Sequence, residues 1–126
     1  MNEKVVCHNA PAAIGPYSQA IKTKDYIFIS GQIPLNHETG EIPEQFADQV
    51  ELVLRNIKAI VEEAGSSLED VVKTTVFLSD INHYAQFNEI YSTYFGDIMP
   101  ARSAVEVSKL PKDVQVEIET IALTKE

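Results

Sequence analysis

Residues 46–78 read FADQVELVLRNIKAIVEEAGSSLEDVVKTTVFL, and the change of period inside this stretch decides the fold. Phe46, Val50, Val53, Ile57, Ile60, Val61 and Ala64 recur mostly at three- and four-residue steps, drawing one apolar stripe along a helix. Gly65 stands where a helix C-cap belongs, since glycine enters the left-handed region without a Cβ clash. Val71 to Leu78 then turns β-branched and aromatic, the composition of a strand.

Working outward from this helix–strand pair, a second helix is expected with Tyr84, Phe87, Tyr91 and Tyr94 on one face. Gly96 ends it, and Asp80 or Asn82 can cap its start. Two strands follow, Ala101 to Lys109 and Val114 to Leu123. In the first, Val105 and Val107 point one way and Arg102, Ala104 and Glu106 the other. In the second, Val114, Val116 and Ile118 share a face, opposite Gln115, Glu117 and Glu119.

Toward the N-terminus, a loop rich in turn formers (Pro34, Asn36, Gly40, Pro43) precedes the first helix. Before it come three short extended runs, Lys4–Cys7, Tyr17–Lys22 and Asp25–Ser30. The last two read as a hairpin about Thr23-Lys24. A turn centred there sets Tyr17 opposite Ser30 with Gly31 just beyond, although Thr-Lys is not a favoured two-residue loop. The order β-β-β-α-β-α-β-β gives an α+β, two-layer sandwich: a six-stranded sheet with both helices on one face. The uncovered face carries Ile121 and Leu123 beside Glu117, with Arg102 if that residue shares it. Such a mixed face is expected to be buried by subunit association.

The chain has 126 residues without a repeat or a Pro/Gly/Ser-rich linker, so one domain, 1–126, is expected. Ten basic against nineteen acidic side chains give a net charge of −9, and the basic ones do not cluster. That balance disfavours nucleic acid and anionic lipid as partners. The N-terminus lacks a signal-peptide pattern, and the longest apolar run, Tyr26–Ile29, is too short to span a bilayer. A lone cysteine, Cys7, permits no intrachain disulfide, and a cytoplasmic location is expected.

The three histidines (His8, His37, His83) lack metal-ligand spacing, and Cys7 and His8, adjacent on a strand, point apart, so no metal site is expected. No phosphate-cradling glycine pattern is present. The strongest chemical pair is Arg102, on a strand that begins after Pro100, with Glu117. A guanidinium offers two parallel donors to a carboxylate, which suits either a bound acid or a structural ion pair with Glu106, Glu117 or Glu119. A tight hairpin of the last two strands would oppose Glu106 to Glu117, which like charges disfavour. Either those strands are not neighbours or one carboxylate has another use.

The stretches NAPAAIGPYSQ (9–19), SGQIP (30–34), NIKAI (56–60), KTTVF (73–77), PARSAVEV (100–107), KLPKD (109–113) and VEIE (116–119) resemble, in order and nearly end to end, the RidA/YjgF family of reactive intermediate deaminases. The resemblance implies a chorismate-mutase-like fold, a homotrimer with three clefts between subunits, and a last strand lying between strands three and four. It implies hydrolysis of 2-imino acids, in equilibrium with enamines such as 2-aminoacrylate, to 2-oxo acids and ammonia. These intermediates come from PLP-dependent dehydratases and otherwise damage PLP enzymes.

In the family pattern the position of Arg102 binds the substrate carboxylate and that of Glu117 orients or activates water. Those of Tyr17, Ser30, Gly31 and Asn88 line the cleft, and no metal or organic cofactor is implied. Many relatives carry Cys where this chain has Ala104, so thiol-dependent behaviour is not expected here. Two other readings stand beside the deaminase: a non-catalytic regulatory trimer that binds a small carboxylate, and a ribonuclease, against which the charge argues.

Overall fold

The computed structural model describes residues 2–125. Six strands, β1 (Glu3–Val5), β2 (Ala20–Lys22), β3 (Tyr26–Gln32), β4 (Val71–Leu78), β5 (Ala101–Glu106) and β6 (Val116–Leu123), form one mixed sheet in the order β1-β2-β3-β6-β4-β5. Helices α1 (Phe46–Glu63) and α2 (Tyr84–Phe95) pack on one face. The expected two-layer α+β sandwich is thus the fold, and β6 lies between β3 and β4. Glu106 and Glu117 therefore belong to strands that are not neighbours. Glu106 instead accepts a hydrogen bond from the Ile81 N–H at 2.9 Å.

The residues that drew the stripe on α1 are its buried ones, with Val50, Val53, Ile57, Ile60 and Val61 fully enclosed. Gly65, at φ +86°, ends the helix. Its N–H donates to Glu62 and that of Ser66 to Val61, satisfying two carbonyls that the helix leaves open. Asp80 caps the approach to α2 by accepting from the Asn82 N–H at 2.9 Å. Gly96 closes α2 in right-handed geometry, and the left-handed residue in the following turn is Met99.

Val116, Ile118, Thr120 and Ala122 of β6 face α1, while Glu117, Glu119, Ile121 and Leu123 face away. On that uncovered face Phe28 remains 47 % and Val105 45 % exposed beside the two carboxylates. These large apolar side chains stay open on the face for which subunit association is expected.

The hairpin register differs from the expected one. Ala20 pairs with Ile29 and Lys22 with Ile27, so the loop is Lys24-Asp25, one residue later than read. Thr23 sets it there: its N–H donates to the Tyr26 carbonyl at 2.8 Å and its hydroxyl accepts from the Tyr26 N–H at 2.9 Å. Consequently Ser30 stands beside Gln19, to whose carbonyl its N–H donates, and Tyr17 lies in the loop before β2. Cys7 likewise lies just past β1, buried in the core, which raises its thiol pKa and keeps it unreactive.

Candidate active site

The pairing of β3 with β6 slips where the candidate residues begin. Ile29 faces Thr120 but Gln32 faces Ile118, so Ser30 and Gly31 share the space opposite Glu119. This bulge re-aims the backbone and brings Gly31 beneath the side chain of Glu117. A Cβ added to Gly31 would stand 3.0 Å from Glu117 Cδ and 3.3 Å from Cγ, and would collide with Oε2. Close approach, rather than a left-handed backbone, is what requires glycine here. Burial pushes the Glu117 pKa above its ordinary value, and the neighbouring Glu119 charge adds to the shift.

Around this centre two buried amides hold the loops. Gln19 accepts from the Cys7 N–H at 2.7 Å and donates to the carbonyls of Cys7 at 3.0 Å and Pro11 at 2.7 Å. It thereby pins the segment that carries Tyr17. Asn56, reaching from α1, donates to the carbonyls of Ile33 at 3.3 Å and Leu35 at 3.2 Å. Ser30 donates its hydroxyl to the Ser18 carbonyl at 2.7 Å, tying β3 to the same segment. Tyr17 and Gly31 then line one cavity of about 250 Å³, walled by Ile14, Ile33, Leu35 and Pro111.

Arg102 lies elsewhere. It pairs with Thr74, a residue buried under the helices, and so points to the helix side of the sheet at its β5 edge. Its guanidinium carbon sits 4.8 Å from the ring centre of Tyr91, 5.4 Å from Tyr84 and 5.6 Å from Phe87. Nη2 donates to the Tyr84 hydroxyl at 2.9 Å. The Tyr91 hydroxyl is itself fixed to Thr74 Oγ1 at 2.7 Å. Three aromatic faces thus hold a cation that has no acidic partner among the described residues, where the ion pairs are Lys109–Asp113 and Lys125–Asp70. The structural ion pair weighed for Arg102 is not formed.

Asn88 sits on the same face of α2, four residues after Tyr84 and three before Tyr91. Its Oδ1 is buried without a hydrogen-bond partner. The sequence-derived residues therefore form two groups: Tyr17, Ser30, Gly31 and Glu117 around the β3 bulge, and Arg102 with Asn88 under α2. Arg102 and Glu117 project from opposite faces of the sheet, contrary to the shared face considered for them. Within one chain they do not meet.

Reading the sequence missed the aromatic enclosure of Arg102, although Tyr84, Phe87 and Tyr91 were visible as a stripe. It also missed Gln19 and Asn56 as loop anchors. For Asn56 the signal was a polar residue on the apolar stripe of the helix, three positions after Val53 and four before Ile60.

The family model described as Endoribonuclease L-PSP matches residues 7–124. The chain belongs to this family, RidA/YjgF. Among RidA/YjgF relatives, a RutC family protein of Pyrococcus horikoshii is 58 % identical over 123 residues, covering 97 % of this chain and 98 % of that one. The 2-iminobutanoate/2-iminopropanoate deaminase of Escherichia coli is 49 % identical over 128 residues, covering 99 % and 100 %. The crystal structure of E. coli TdcF with bound serine superposes with a TM-score of 0.94 at 46 % identity, covering 98 % and 99 %. The fold described above is accordingly that of RidA/YjgF proteins.

Proposed function

We propose that this RidA/YjgF member is an imine/enamine deaminase. It hydrolyses 2-iminopropanoate, formed from 2-aminoacrylate, and 2-iminobutanoate to the 2-oxo acids and ammonia. In this reading single-domain subunits work as a cytoplasmic homotrimer that protects PLP enzymes. Neither a nucleic acid nor a membrane is a partner, and no cofactor is needed. The observation that carries it is the half-buried, unpaired Arg102 in its aromatic enclosure, a receptor for one small carboxylate. The similarity to the E. coli deaminase supports the same reading.

Because Arg102 and Glu117 leave opposite faces of the sheet, a working site takes Arg102 and Asn88 from one subunit. Tyr17, Ser30, Gly31 and Glu117 come from its neighbour. Arg102 fixes the substrate carboxylate with two parallel donors, and this orients the adjacent C=N carbon. Glu117 accepts a proton from a water as the water oxygen bonds to that carbon, and the C=N electron pair moves to the nitrogen of the protonated imine, leaving a neutral amine. In the resulting carbinolamine, Glu117 returns its proton to the amine. The C–N bond breaks and the C=O bond forms as the hydroxyl proton passes to the departing ammonia, which leaves as ammonium while Glu117 is again a carboxylate. A carboxylate with a raised pKa is a stronger base than an ordinary one, which suits it to the first step. The unpartnered Asn88 Oδ1 is free to accept from the imine or amine N–H.

The test is a coupled assay in which a PLP-dependent threonine or serine dehydratase generates the imine and its loss is followed with and without the protein. Acceleration that disappears in Arg102→Ala, with subunit assembly retained, is the expected result. Hydrolysis no faster than buffer overturns the deaminase reading, and tight carboxylate binding without turnover would replace it with a binding role.

A further inference from the structure

The connection from β5 to β6 contains a turn that no glycine eases. Lys112 and Asp113 both adopt φ +57°, the left-handed region, without being glycine or asparagine. The Val114 N–H donates back to the Pro111 carbonyl at 3.3 Å, so Lys112 and Asp113 are the two central residues of a tight left-handed turn. Strained non-glycine backbone of this kind persists where surrounding structure holds it, and it clusters at functional sites.

What the turn does is carry Pro111 and Lys112 to the wall of the cavity that Tyr17 and Gly31 line. The rest of that wall is apolar or already satisfied: Ile14, Ile33 and Leu35 have no polar side-chain atoms. Gln19 is held by Cys7 and Pro11, and Gln32 donates to the Ser30 carbonyl at 3.1 Å. Lys112 is the cavity's one cationic side chain. The carboxylate next to it in sequence is engaged elsewhere, because Asp113 pairs with Lys109 at 3.4 Å. Lys112 itself forms no ion pair among the described residues.

Charge gives this placement a purpose. The chain carries a net −9, and Glu117 stands over Gly31, which lines this cavity. A carboxylate-bearing substrate approaching Gly31 therefore meets repulsion from its own subunit before it reaches the Arg102 that the neighbouring subunit supplies. We propose that Lys112 is a substrate-binding cation of this site, held at the cavity mouth by the left-handed turn to attract and seat the anionic substrate on the Gly31 side. Its contribution is to capture, so it acts on KM and leaves the chemical step to Glu117. This rests on the deaminase reading for its kinetic form but not for its binding form.

The test uses Lys112→Gly, which accepts φ +57° without strain and so removes the charge while relaxing the turn. Lys112→Arg serves as the conservative control. With 2-iminobutanoate, Lys112→Gly is expected to raise KM several-fold, to leave kcat within about twofold, and to flatten the dependence of kcat/KM on ionic strength. Lys112→Arg keeps the wild-type values. In parallel, calorimetry with 2-oxobutanoate should show Kd weakened several-fold in Lys112→Gly and unchanged in Lys112→Arg. An unchanged KM and salt dependence, or a fall in kcat at constant KM, overturns the proposal. If the wild type binds 2-oxobutanoate but turns over no imine, the deaminase reading fails and the Kd comparison alone decides Lys112. A wild type that does neither overturns both.

Discussion

Gly31→Ala offers a sharp probe of the site because its consequence can be worked out atom by atom. The new Cβ would stand 3.0 Å from Glu117 Cδ and 3.3 Å from Cγ, against an ordinary carbon–carbon contact of about 3.5–4.0 Å. Gly31 does not need a left-handed backbone, so alanine fits the strand and the clash falls on the carboxylate. A Glu side chain can rotate away at a cost of about 1 kcal/mol, the scale of an off-rotamer torsion, so the fold survives. The carboxylate then sits roughly 0.5–1 Å from its position, and a misplacement of about 1 Å costs on the order of 100-fold in rate. That factor corresponds to about 2.7 kcal/mol of transition-state stabilisation.

The assay is a double-mutant cycle on imine hydrolysis with Gly31→Ala, Glu117→Ala and the pair, alongside thermal unfolding of each. If the alanine acts through Glu117, it costs about 100-fold in the wild-type background and almost nothing once Glu117 is gone. Equal losses in both backgrounds, or full activity of Gly31→Ala, would refute the reasoning that glycine is present to admit this carboxylate.

Three further outcomes are expected. The raised pKa of Glu117 means that the folded chain holds this proton to higher pH than the unfolded chain does. Its ionisation therefore lowers stability as pH rises from the ordinary Glu value through the raised one, while the ionised form is the active base. The acid limb of kcat/KM should lie above the ordinary carboxylate range, and Glu117→Gln should remove both that limb and the matching slope in stability. Gln19→Ala strips partners from the buried Cys7 N–H and the Pro11 carbonyl and should cost about 2–3 kcal/mol in denaturant unfolding, with activity falling as the Tyr17 segment loosens. Phe28→Glu places a charge on the uncovered face, so sedimentation should show dissociated subunits and the imine assay should show lost activity.

Much of the fold could be read from residue order because local and tertiary preferences agree. The α1 stripe, the Val71–Leu78 strand and the alternation of β6 each obey one period, and burial follows it. The hairpin register escaped because a side chain decides it: Thr23 caps the loop through its hydroxyl, moving the turn one residue and replacing Tyr17 by Gln19 beside Ser30.

Arg102 escaped for a different reason. Alternation tells which residues of β5 share a face but not which face lies under α2, and only the parallel pairing with β4 settles that. The bulge at Ser30-Gly31 depends on contacts between distant segments, and the left-handed turn at Lys112-Asp113, closed by the Val114 N–H on the Pro111 carbonyl, has no glycine or asparagine to announce it. Residue types at the candidate site were therefore legible, while their division between two faces of the sheet was not.

That division makes subunit complementation the most direct measurement of the central claim. Arg102→Ala and Glu117→Ala proteins, each inactive alone, are unfolded together, refolded as a mixture and assayed for imine hydrolysis. If every site joins Arg102 of one subunit to Glu117 of its neighbour, random assortment rebuilds about a quarter of the clefts with both residues intact, and activity returns to roughly that fraction of wild type. A mixture that assembles fully and stays inactive would contradict the account.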